Sequence, residues 1–195
     1  MPSGRVRQFD ADDALDRALE VFWGRGYEGA TLPELTAAMR INRPSLYAAF
    51  GNKEQLFHKA LDRYQAGPQS FVAGALKKPT ARAVVEALFS GFVRMQRDRT
   101  STRGCMIVSG ALACGEEAEP VRRELARLRQ ATVAALRERF ERAVREADLP
   151  GETDCATLAR YVATVLNGLA VQAASGATET ELRRVAAMAM RAWPA

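Results

Sequence analysis

Ala14, Leu15, Ala18, Leu19 and Phe22 fall on one helical stripe, with Asp13, Asp16, Arg17 and Glu20 opposite. That spacing of three and four predicts an amphipathic helix starting just after Phe9. Asp10 stands where an N-cap is needed, and Gly24 and Gly26 are expected to end the helix. Thr31-Leu32-Pro33-Glu34 has capping-box spacing and opens a second helix, with Leu35 and Met39 as its inward pair. Arg40, Ile41 and Asn42 read as a turn. Asn42 caps a third, short helix with Pro44 in its first turn and Leu46 and Phe50 inward. Asn52, with Gln55 three residues on, caps a fourth helix whose core stripe is Leu56, Phe57, Ala60, Leu61 and Tyr64.

Gly67-Pro68 interrupts the pattern, which is then helical to the end. The expected segments are 69–76, 80–98, 105–114, 117–147, 154–175 and 178–192. Period-two alternation, the mark of a half-buried strand, is absent throughout. The expectation is an all-α chain in two parts. Residues 1–66 hold a compact set of short helices, preceded by a flexible arm at 1–9, and residues 67–195 hold a larger helical domain.

Composition sharpens this picture in three places. Hydrophobic residues make up 48% of the 195, enough for a packed core and too many for a disordered chain. No apolar run reaches the roughly 20 residues of a membrane span, and residues 1–9 lack the apolar stretch of a secretory signal, so a cytoplasmic protein with no membrane partner is expected. The cysteines are Cys105, Cys114 and Cys155 and the single histidine is His58, a sparse set that predicts no disulfide framework, no metal site, no cofactor and no catalytic triad. The formal net charge is +5, yet residues 1–66 carry nine Lys/Arg against nine Asp/Glu. Overall basicity therefore says little about nucleic acid, and the local arrangement has to carry that argument.

Two short helices joined by a three-residue turn make the helix-turn-helix geometry. A helix of two turns is unstable alone and must be held by its neighbours. With Leu46 and Phe50 turned in, it presents Arg43, Pro44, Tyr47 and Ala48 outward, a surface that suits close approach to a major groove. Residues 9–64 resemble the DNA-binding domain of the TetR family of transcriptional regulators. The matching stretches are Ala18-Leu19-Glu20-Val21-Phe22, Gly26-Tyr27-Glu28-Gly29-Ala30-Thr31, Leu35-Thr36 and Pro44-Ser45-Leu46-Tyr47-Ala48-Ala49-Phe50-Gly51-Asn52-Lys53-Glu54. The resemblance implies a three-helix DNA-binding head, with Arg43, Pro44 and Ser45 reading bases and Tyr47 and Lys53 on phosphates. It brings Thr31, Leu32 and Pro33 to the backbone. Arg40 departs from the family's usual turn glycine, and Ala49 lacks a polar group that some relatives have there. Arg5 and Arg7 in the arm are expected to reach DNA or to remain a free tail.

The same resemblance makes the C-terminal part a ligand-binding and dimerisation domain, and the chain a homodimeric repressor on a palindromic operator. Leu166, Gly168, Ala170, Val185 and Ala189, on the last two helices, are the expected dimer interface. Phe71, Phe89, Phe92, Met95, Met106 and Gln172 are the expected lining of a signal pocket, although aromatic and Met residues at helical spacing also read as plain core. The C-terminal part is loosely similar to that of electrophile-responsive members, in which a Gly-Cys pair in this region is the sensor. Arg103-Gly104-Cys105 opens a helix after a polar linker, which favours a thiolate at Cys105. Cysteine is equally among the most often buried residues, and Met106-Ile107-Val108 beside it reads as packing. The inducer is accordingly a small molecule or an electrophile. An all-helical interaction protein or an enzyme is the alternative. The latter lacks any phosphate loop, metal-spaced histidine pair or nucleophile motif.

Overall fold

The structure, a computed structural model, describes residues 9–97, 104–111 and 115–194. Among these it is all-helical: α1 (Ala11–Gly29), α2 (Leu32–Met39), α3 (Arg43–Phe50), α4 (Lys53–Ala66), α5 (Phe71–Leu76), α6 (Ala81–Arg97), α7 (Met106–Ser109), a 3-10 turn (Glu116–Ala118), α8 (Glu119–Arg145), α9 (Cys155–Ala174) and α10 (Glu179–Arg191). Arg5, Arg7, Arg103 and Cys114 lie outside the described residues. No helix among those described is long and apolar enough to cross a membrane.

Side-chain caps set the starts of α1 to α4. Asp10 accepts from the backbone N–H groups of Asp12 and Asp13. Thr31 and Glu34 form a reciprocal capping box, Asn42 accepts from Ser45, and Asn52 and Gln55 form a second box. Each satisfies N–H groups that a helix start leaves without a partner, an effect worth about 1 kcal/mol apiece. Arg40 closes α2 in the left-handed region at φ 58°, and Ile41 N–H donates back to Thr36 O at 3.1 Å, a Schellman ending. The departure from glycine is therefore real backbone strain on an arginine.

An aromatic cluster holds these helices together. Phe22 meets Phe57 edge-on at 5.1 Å, Tyr27 meets Phe57 at 5.3 Å, and Trp23 meets Tyr64 at 4.7 Å between centroids. Arg63 ties α4 to α1 at the surface through Asp16 and Asp12. Its guanidinium holds the Asp16 carboxyl below the ordinary range.

Of the two glycines expected to end the first helix, Gly26 is where the regular geometry stops, at φ 70° and ψ −179°; beyond this kink a further short helical stretch runs to Gly29. The break persists because the freed Tyr27 N–H donates to Gly110 O at 2.8 Å. The expected helix over 105–114 is likewise shorter: α7 is a single turn, and residues 112–114 are outside the described set. In the C-terminal part α8 packs along α9, and α10 packs on α6 and α9. Arg139 of α8 is buried and donates to the carbonyls of Lys78 and Pro79, clamping α8 to the start of α6.

Candidate nucleic-acid interface and signal cavity

The first site is the outer face of α3. Leu46 and Phe50 are buried against the head's core, and Phe9 packs its ring 6.2 Å from that of Phe50. This leaves Arg43, Pro44 and Tyr47 exposed and Ser45 half-buried at the helix start. Tyr47 is a large aromatic left 49% exposed. Thr31 and Pro33 are exposed at the start of α2, with Leu32 half-buried beside them. Lys53 reaches over the Tyr27 ring at 4.6 Å, with Nζ 3.5 Å from Glu28 O. That ring and that carbonyl hold the ammonium at the start of α4 while one side of it stays in water. Arg43 is an exposed cation at the start of α3, and Lys53 a half-buried one at the start of α4. The arrangement offers hydrogen-bond donors and positive charge to a polyanion.

The second site is a small cavity, about 40 Å³, enclosed by α4 to α9. Phe71, Phe92 and Met95 line it, with Tyr64, Cys105, Ile107, Arg129, Leu166 and Asn167 among their neighbours. Three of the expected lining residues do not line this cavity: Phe89 and Met106 are buried in the core, and Gln172 is exposed on α9. Periodicity marks such residues as apolar or helical but cannot choose between faces of a helix buried on several sides.

Cys105 is the N-cap residue of α7 and is buried, with the Tyr64 hydroxyl 3.4 Å from its Sγ. The expectation of a favoured thiolate is corrected. Burial pushes the thiol above its ordinary value, and hydrogen bonds from Tyr64 and from the start of α7 only partly oppose it. One turn of helix supplies too little dipole to offset the loss of water. Cys155 is also raised, chiefly by burial.

What the sequence did not reveal is how strongly α7 is wired to the DNA-facing head. Trp23 Nε1 donates to Gly104 O at 3.2 Å, where Gln96 Nε2 also donates at 3.0 Å. Tyr27 N–H holds Gly110 O, and Gly115 N–H donates to the Glu28 carboxylate at 2.6 Å. Gly104 itself sits at φ 61° with Ala170 O only 2.3 Å from where a Cβ would stand. Only glycine fits this crossing of α7 over α9. The one signal available in sequence was the Gly104-Cys105 pair itself.

The expected interface residues divide. Gly168 and Val185 are exposed, whereas Ala170 is buried against Gly104, Leu166 faces the cavity, and Ala189 lies under Tyr161, whose hydroxyl donates to Ala189 O. The apolar surface left open on α9 and α10 comprises Tyr161, Val171, Val185 and Met188, the last 61% exposed.

Two family models match the chain: "Bacterial regulatory proteins, tetR family" over residues 14–60 and "Tetracyclin repressor-like, C-terminal domain" over residues 79–190. The chain belongs to the TetR family. It is a DNA-binding transcriptional regulator of that family and not an enzyme. It is 34% identical over 165 residues to the regulator YezE of Bacillus subtilis, covering 82% of this chain and 83% of the relative. It is 25% identical over 193 residues to the transcriptional repressor ComR of Escherichia coli, covering 98% and 92%. Among solved structures, the TetR regulator CifR, a cysteine mutant complexed with 26-base-pair operator DNA, superposes with a TM-score of 0.91. It is 44% identical, with 97% of this chain and 100% of that one covered.

Proposed function

We propose that this regulator is a cytoplasmic homodimeric repressor on a palindromic operator, released when the cavity around Cys105 takes up a small ligand or its thiol is modified. The reading divides the work between residues 1–66, which bind DNA, and residues 67–195, which pair and receive the signal. Arg43, Pro44 and Ser45 read base edges, Tyr47 and Lys53 hold phosphates, and Thr31, Leu32 and Pro33 approach the backbone. The observation that carries it is the exposed face of α3, held by the Asn42 cap and two buried anchors, on a chain 44% identical to a regulator solved on its operator. The dimer would bring two such helices about 34 Å apart, or a small multiple of that, into successive major grooves. The open apolar face on α9 and α10 is the surface that a second copy would cover.

Release follows from the wiring of α7. A quinone or an unsaturated aldehyde would react with the Cys105 thiolate. An S–C bond forms, the electron pair of the C=C bond moves to the far carbon, and the proton lost by the thiol ends there. An adduct has no room in a cavity of about 40 Å³. It would push on Tyr64 and on α7, and so on the bonds from Trp23 and Tyr27 that seat the head. The raised thiol pKa sets the pH dependence: less thiolate is present near neutrality than for a free cysteine, so adduct formation accelerates as pH rises.

The test is a fluorescence-anisotropy titration of the DNA upstream of the chain's own gene, then addition of a quinone to wild type and Cys105→Ser. Specific binding that only the wild type loses supports the reading. No specific binding overturns the repressor, and equal release from the variant overturns the thiol as the switch.

A further inference from the structure

Arg129 enters the cavity from α8 and is half-buried there. One N–H of its guanidinium donates to Ile107 O at 2.6 Å. Among the described residues the remaining N–H groups make no hydrogen bond and no carboxylate pairs with it. Among the described residues the cavity wall contains no Asp or Glu at all. The other polar groups on the wall include the amides of Gln69 and Asn167, neither of which has a side-chain hydrogen bond to the described residues. Phe71, Phe92, Val72, Ile107 and Leu166 supply the apolar remainder. A cation without counter-charge, two free amides and an apolar wall make a donor-rich, acid-free receptor. Holding a guanidinium partly out of water without an anion is costly, and a carboxylate satisfies it through paired, charge-assisted hydrogen bonds.

We propose that the cavity is a receptor for a small, largely apolar carboxylate, anchored on the Arg129 guanidinium with help from Asn167 and Gln69. The proposal rests on the reading of this cavity as the signal site. At about 40 Å³ the unliganded cavity has room for little more than water, so the ligand enters by displacing a wall. The wall that yields is α5. Ser70 gives it no side-chain cap, and Ala75 is its single fully buried residue. The bound carboxylate competes with Ile107 O for the guanidinium. Drawing Arg129 away from that carbonyl loosens α7, and through Gly104 and Gly110 it loosens the seats of Trp23 and Tyr27. A neutral ligand fills the same volume without moving the arginine.

The experiment is calorimetric titration of the full-length dimer, free of DNA, with benzoate, phenylacetate and octanoate at up to millimolar concentration, each against its primary amide. At least one carboxylate is expected to bind about tenfold or more tightly than its amide. Arg129→Met is expected to erase that preference and Arg129→Lys to keep part of it. Asn167→Leu, which keeps the Arg129–Ile107 bond, is expected to weaken the carboxylate alone. Should Arg129→Met fail to fold, the wild-type comparison of acid with amide and the Asn167→Leu variant decide. Amides binding as well as acids, no acid binding at all, or full carboxylate affinity in Arg129→Met would overturn the proposal. Operator anisotropy with the same ligands tests the underlying reading separately. A carboxylate that binds through Arg129 yet leaves the operator bound keeps the receptor and refutes the cavity as the switch.

Discussion

The head formed by α1 to α4 and the wall formed by α5 and α7 are built by opposite rules. In the head every helix start is closed by a side chain of its own, and aromatic rings fill the interior edge to face. Around the cavity, α5, α7 and α8 start without a side-chain cap hydrogen bond. The interior there leaves a void and holds a half-buried arginine that has no counter-charge among the described residues. A reading surface has to keep fixed geometry, because a misplaced donor loses its base. A receptor has to give way, because its ligand must enter and the change must be felt elsewhere. The contrast locates motion on the signal side and transmits it through α7, whose flanking glycines are hydrogen-bonded to Trp23 and Tyr27 of the head.

The largest effect is expected where neither region acts alone. Replacing Gly168 by tryptophan, or Val185 and Met188 together by glutamate, should leave a folded monomer that has lost specific operator binding. Both sites face open space, so the chain's own packing is spared. Sedimentation reads the outcome, and a retained dimer would move the interface elsewhere.

Next is the link between the regions. Gly104→Ala forces a Cβ onto Ala170 O at a positive φ. It should cost about 2–4 kcal/mol in thermal or denaturant unfolding. A loss of only a few tenths would mean that α7 tolerates displacement and is a poor transmitter.

Within the reading surface, Arg43→Ala should lose about 1–3 kcal/mol of operator affinity and relax preference at one base pair. Lys53→Ala should weaken all sequences alike and lower the salt slope by about one. Exchanged phenotypes would exchange the two roles.

The smallest effect sharpens the claim that the head is held under local constraint. Arg40→Gly relieves left-handed strain, offset by the greater freedom of glycine when unfolded. It should raise stability by about 0.5–1 kcal/mol if Arg40 makes no phosphate contact, and lower operator affinity as well if it does. Melting and anisotropy together separate these.

The caps were legible in the sequence because each is a bond between a side chain and backbone three residues away. Thr31 with Glu34, Asn42, and Asn52 with Gln55 needed no knowledge of the rest of the chain. The continuation of α1 past Gly26 was not legible, because its cause is Gly110 O, a partner remote in sequence. The cavity was half legible for a similar reason. Phe71, Phe92 and Met95 were in reach of periodicity, while Phe89 and Met106 share the same apolar character and face elsewhere. Arg129 stands four residues after Leu125 and seven before Leu136, on the apolar stripe of α8, so its inward placement was within reach of periodicity, while its partner Ile107 O, remote in sequence, was not. Leu166, Ala170 and Ala189 mark helices that pack on several sides. Which of those sides stays open depends on where α6 and α8 lie.

Hydrogen exchange on the free dimer tests most directly whether the cavity wall yields before the reading head. The account predicts that amides of 71–76 exchange through local opening, far faster than those of the buried turns of α1 and α4, which exchange only when the head itself opens. Protection of 71–76 equal to that of α4 would contradict it.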